Sequence, residues 1–94
     1  MHGSFPVQDY AAQTRAVRVH GHVTSIRLEA AYWALLEEMA RHRGTTLARV
    51  VAALRDEALE RCGDSVNLSS YLRVSCLHYL MARNWPNRAH MYES

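Results

Sequence analysis

With 94 residues, 49% of them apolar, the chain has room for one small domain, near the size at which a polypeptide struggles to bury enough surface alone. A formal net charge of +2 does not by itself indicate nucleic acid, no apolar run is long enough to cross a bilayer, and the N-terminus lacks the charged and apolar regions of a secretory leader. These bounds argue against a membrane protein and for a cytoplasmic chain, and length alone makes association with a second copy reasonable.

Residues 1–14, with Gly3, Ser4, Pro6, Gln8, Asp9 and Gln13, show no sustained period and read as an N-terminal arm. From Arg15 the pattern changes. Val17 and Val19, then Ile26 and Leu28, are apolar at spacings of two within short runs, separated by Arg18, Arg27 and a Gly21 that can bend or bulge the backbone. The expectation is one short strand with a polar face, centred on Thr24–Leu28. A lone strand cannot satisfy its own backbone groups, so its partner is expected to come from a second copy.

From Glu29 the period becomes helical, with Tyr32, Leu35, Leu36, Met39 and Ala40 on one side and Glu37–Arg41 as an i,i+4 pair outside. Gly44 marks the exit. Thr45 or Thr46 can cap a second helix whose buried stripe is Leu47, Val50, Val51, Leu54 and Ala58, ended by Gly63 and Asp64. Asn67 and Ser69 are candidate caps for a third helix through Leu68, Leu72, Cys76, Tyr79 and Leu80. Val74, Leu77 and Met81 make another side of it apolar, which predicts a largely buried helix. Pro86 stops it near Asn84, and residues 85–94 read as a tail, leaving 15–84 as the folded domain.

The chemistry-bearing residues form few constellations. Cys62 and Cys76 lie on different predicted helices, and in a reducing compartment they read as thiols. His20 and His22 would share one side of a strand, a spacing that can hold a metal, but His42, His78 and His90 add no ligand pattern, and no metal or cofactor is expected. No nucleophile motif and no phosphate-cradling glycine loop appears. Ser69 and Ser70 fit the first turn of the third helix better than a catalytic role, so no enzymatic activity is expected.

The order strand, helix, turn, helix, together with the string GHVTSIRLEAAYWALLEEMARHRGTTLARVV and the later NLSSYLR, resembles the ribbon-helix-helix superfamily. Within it, the chain is similar to a bacterial family marked by GH-x-TS-x-x-LE, a following aromatic-Trp pair, and NLSS-x-LR, over about Val17 to Met81. The resemblance implies a mainly α fold: an intertwined homodimer crossed by an intersubunit two-stranded antiparallel β-ribbon, here with an extra C-terminal helix. It implies a sequence-specific regulator of transcription, of the repressor kind, that inserts the ribbon into the major groove of double-stranded DNA.

Carried over residue by residue, Val23, Ser25 and Arg27 face the bases. Thr45, Thr46 and Leu47, at the N-terminus of the second helix, anchor phosphates in the same resemblance; Arg43 and Arg49 are near enough in sequence to help, Arg18 and His22 are expected to touch the backbone from the ribbon, and Ile26, Leu28, Leu36, Leu47, Val51 and Leu54 form the dimer core. Arg27 can grip N7 and O6 of guanine, whereas Val23 departs from the polar or basic group usual at its position. The third helix is expected to pack on the dimer or to build higher oligomers. The alternative is an antitoxin-like module whose tails bind a partner protein and which represses its own operon.

Overall fold

The computed structural model describes residues 7–84. A 3-10 turn, Val7–Tyr10, leads into strand β1, Ala12–Val19, and strand β2, His22–Glu29; helices α1, Ala30–Arg43, α2, Leu47–Cys62, and α3, Leu68–Asn84, follow. β1 and β2 form a two-stranded antiparallel sheet within the one chain, in register from Ala12 opposite Glu29 to Val19 opposite His22.

This sheet corrects the expectation of a lone strand. The segment before α1 folds back on its own chain, so β2 does not depend on a second molecule for its first row of hydrogen bonds. The turn residues explain how. His20 and Gly21 both have positive φ, 51° and 81°, as a two-residue type I′ turn requires, and that turn matches the twist of the strands it joins. Apolar positions are odd in the first run (Val17, Val19) and even in the second (Ile26, Leu28), a switch that either a bulge or a reversal can produce, and here the chain reverses. The strand also begins at Ala12, so the stretch read as an arm contributes residues to β1 and a 3-10 turn before it.

The inner face of the hairpin lies on the helices. Val17, Val19, Ile26 and Leu28 join Trp33, Leu36, Met39, Val50, Val51, Leu54, Leu72 and Cys76 in one buried cluster. Trp33 is fully buried, and its indole N–H donates to the Gln13 carbonyl at 2.9 Å, tying α1 to β1. Of the residues expected in a dimer core, Ile26, Leu28, Leu36, Val51 and Leu54 are already buried within the single chain, and Leu47 packs against the same cluster. Their burial needs no second copy.

Local chemistry sets the helix ends. Gly44 adopts the left-handed conformation, with its N–H on Arg41 O at 3.1 Å and the Thr45 N–H on Ala40 O at 2.9 Å, the Schellman closure of α1. Thr46 caps α2 by accepting from the Arg49 N–H at 3.2 Å, and Asn67 accepts from the Ser70 N–H at 3.0 Å at the start of α3. The third helix is not buried all round as expected. Leu72 and Cys76 are fully buried, but Val74 and Leu77 are 48% and 53% exposed, because only one side of α3 meets the other described residues. Cys62 and Cys76 are free thiols, and burial pushes the Cys76 thiol up to about 11. No described helix is long and apolar enough to cross a membrane.

Candidate nucleic-acid interface

Strand alternation sends every second side chain of the hairpin away from the helices. On β2 these are Val23, Ser25 and Arg27, all exposed; on β1 they are Thr14, Ala16 and Arg18, also exposed and directly opposite Arg27, Ser25 and Val23 respectively. Thr24, Ile26 and Leu28 point the other way, with Ile26 and Leu28 buried. The outward face thus carries two guanidinium groups among small or uncharged side chains. Glu29 is the acid in register with it, at its far end, and its carboxylate is held 3.0 Å from Arg73 Nε on α3. That hydrogen bond keeps the Glu29 carboxyl below its ordinary range.

Arg27 has no hydrogen bond or ion pair from its side chain among the described residues, so its guanidinium is free to meet a ligand. Arg18 Nη1 rests on the Gly21 carbonyl at 3.3 Å, which holds it over the turn. Arg15, one residue out of phase, is different. It points inward, pairs with Glu37 at 2.8 Å and stacks over Trp33 at 4.9 Å. Alternation alone therefore sorts the arginines of the hairpin into structural and available ones.

The hydrogen-bond parity of the hairpin exposes a second feature. Ala30 N–H donates to Ala11 O at 2.8 Å, so this pair is of the bonded kind. Alternation then makes Leu28, Ile26, Thr24 and His22 the residues of β2 that bond β1. The N–H and C=O groups of Val23 and Ser25 face the opposite, open edge, where no described residue meets them. Farther along that edge the Ser69 hydroxyl donates to the Arg27 carbonyl at 3.3 Å, and the Glu29 carboxylate accepts from its own backbone N–H. Helix α3 therefore flanks one end of the open edge, while the rest is bare.

The other residues expected to touch phosphate are not all brought together. Arg43, Thr45, Thr46, Leu47 and Arg49 cluster at the α1–α2 turn. There the Thr46 cap occupies the Arg49 N–H and leaves the Leu47 and Ala48 N–H groups at the positive end of the helix. His22 separates from Arg18. It lies in register with Val19, on the face opposite to Arg18. His20 does not share a strand face with His22 either: it sits in the turn, its Nε2 2.9 Å and 3.0 Å from the two carboxylate oxygens of Asp56 on α2. The spacing that suggested a metal pair is thus broken by the turn, and no group of three or more possible metal ligands gathers among the described residues.

Sequence comparison decides the family. A model of the ribbon-helix-helix domain matches residues 12–80, a span that runs from the first residue of β1 almost to the end of α3. The chain belongs to the ribbon-helix-helix family. Among solved structures it is similar to an uncharacterized protein from Bordetella pertussis Tohama I, at 36% identity and a TM-score of 0.75, with 85% of this chain covered. The match takes in 64% of the length of that protein. No curated protein matches.

The alternation of Val17 and Val19 reads as part of one strand with Ile26 and Leu28 and does not reveal that β1 is a strand of its own, and with it that Thr14 and Ala16 belong to the outward face. The switch from odd to even apolar positions around His20-Gly21 was the available signal. Nothing in the sequence pattern announced that α3 would reach the open edge of β2 through Ser69 and Arg73.

Proposed function

We propose that this ribbon-helix-helix protein is a sequence-reading, double-stranded-DNA-binding regulator of transcription, of the repressor kind, working as a homodimer. The observation that carries the reading is the outward face of the hairpin: exposed Arg27 and Arg18 with Ser25, Thr14, Ala16 and Val23, and Glu29 at its far end paired with Arg73. In the dimer, the bare edge of β2 pairs with β2 of a second copy, which satisfies the open groups of Val23 and Ser25 and produces a central two-stranded ribbon.

Widths then divide the labour. A major groove about 12 Å across admits a two-stranded ribbon, so Val23, Ser25 and Arg27 of both copies reach base edges. Adjacent strands are about 4.8 Å apart, so the two flanking β1 strands stand about 14 Å from each other, over the groove walls. Arg18 and Thr14 on β1 therefore meet phosphates. Arg43, Arg49 and the free N–H groups of Leu47 and Ala48 supply further phosphate contacts from the α1–α2 turn. The alternative, an antitoxin-like module that captures a partner protein, would use the two tails, of which residues 1–6 and 85–94 lie outside the described residues.

Methylation interference at guanine N7 tests the major-groove approach. Loss of binding when N7 is methylated at particular guanines is the expected result. Indifference to N7 methylation, with displacement by a minor-groove ligand, contradicts the reading.

A further inference from the structure

The strand that carries Arg27 also carries an acid able to silence it. Side chains two residues apart on a strand share a face, so Glu29 follows Arg27 about 6.6 Å farther along β2. Both side chains are long enough to close that gap and form an ion pair. The two groups already sense each other. The hydrogen bond from Arg73 does most to hold the Glu29 carboxyl below its ordinary value, and the positive charge of Arg27 adds to the effect.

In the folded chain Glu29 is turned away from Arg27 and onto α3, where Arg73 Nε donates to its Oε1 at 3.0 Å. Arg73 is itself placed by its surroundings, with its guanidinium 5.8 Å from the centre of the Tyr32 ring. One turn earlier on α3, the Ser69 hydroxyl donates to the Arg27 carbonyl at 3.3 Å. Residues four apart lie on one side of a helix, so a single side of α3 meets both the backbone of Arg27 and the acid beyond it. We propose that Arg73 is a positioning residue for DNA recognition: by holding Glu29 on α3 it keeps that carboxylate off Arg27 and leaves the base-reading guanidinium free to grip guanine. The inference rests on the reading of the hairpin face given above and assigns α3 a part in it.

An exposed ion pair is weak, yet it matters here because it competes. A guanidinium engaged with Glu29 must leave the carboxylate before it can bond N7 and O6 of guanine, and a two-fold ribbon meets that obstacle twice. The released carboxylate would also stand on the face that approaches DNA. Arg73 removes both obstacles without touching the bases. Its effect on affinity therefore runs through Glu29 and Arg27, which distinguishes it from a cation that merely adds to the positive field.

Fluorescence anisotropy on the full chain, at fixed salt and with a duplex enriched by selection from random sequences, tests the inference with Arg73→Gln. The fold is expected to persist, because α3 is also held by buried Leu72 and Cys76 and by Tyr71 on Glu57 and Tyr79 on Glu38. Arg73→Met, which keeps an apolar stem against Tyr32, takes its place should the glutamine lower the melting temperature. Affinity for the enriched duplex should fall roughly tenfold in Arg73→Gln. It should return to within about threefold of wild type when Glu29→Gln is added, and Arg73→Gln should change it by less than about threefold in an Arg27→Ala background. A loss that persists without Arg27, or that Glu29→Gln does not repair, overturns the inference, since Arg73 then acts through its own charge or through the packing of α3. Unchanged affinity in Arg73→Gln with an intact fold overturns it as well. A wild type that enriches no duplex overturns the DNA reading itself.

Discussion

Replacing Arg27 by alanine separates reading of bases from everything else the chain does. The guanidinium is exposed and makes no hydrogen bond or ion pair with any described residue, so folding stability should change by no more than about 0.5 kcal/mol. The effect on DNA is much larger. A bidentate arginine–guanine contact discriminates by about 1–3 kcal/mol, and a two-fold ribbon presents the side chain twice. The expected loss on a preferred duplex is therefore about 2–6 kcal/mol, roughly 30-fold to ten-thousandfold in affinity. On a non-preferred duplex the loss should be far smaller. Fluorescence anisotropy at fixed salt measures both, and Arg18→Ala is the control: placed over a phosphate, it should weaken all duplexes alike and lower the slope of log affinity against log salt by about 1.8 per dimer. If Arg27→Ala weakens every duplex equally, or none, the residue does not read bases and the assignment of the outward face fails.

Other consequences follow from single observations. Ser25→Pro removes an N–H that faces the open edge and no N–H that bonds β1, so the monomer should keep its circular dichroism spectrum while sedimentation shows weaker self-association; loss of the hairpin itself would contradict the parity of the ladder. Trp33→Phe removes the 2.9 Å indole hydrogen bond to the Gln13 carbonyl, which keeps its ladder bond from the Leu28 N–H, so the loss should be about 0.5–1.5 kcal/mol and lower the thermal midpoint by a few degrees; an unchanged midpoint would mean that this bond does not tie sheet to helix. Glu29→Gln tests the contact with Arg73. Because the folded carboxyl is held below its ordinary value, the pair stabilises the fold above that value and the contribution disappears as pH falls through the folded one. The gap in melting temperature between wild type and variant should accordingly be present at neutral pH and close in acid, and a gap that widens in acid would reverse the sign.

The helical half of the fold is written in short-range signals. Gly44 must be left-handed where α1 ends, Thr46 and Asn67 each accept from the N–H three residues on, and the stripe through Val50, Val51, Leu54 and Ala58 is buried as its spacing requires. The alternation in β2 likewise sorts Val23, Ser25 and Arg27 from Ile26 and Leu28 before any coordinates are known. The hairpin was harder because each apolar run is only a few residues long, and a glycine between two runs is compatible with a bulge or a reversal. The deciding fact is the positive φ of His20, a conformation few non-glycine residues adopt and one that residue type does not announce. Helix α3 misled for another reason. Hydrophobicity on several sides says that a surface must be covered but not by what, and among the described residues the coverage stops short of Val74 and Leu77. Contacts between distant segments, such as Ser69 with the Arg27 carbonyl, depend on tertiary packing and leave no local mark.

Selection of bound fragments from a pool of random duplex DNA, at defined salt, tests most directly whether the outward face of the hairpin reads sequence. Enrichment of a repeated half-site containing guanine, lost with Arg27→Ala, is the predicted result. Retention of all sequences alike, or of none, would contradict it.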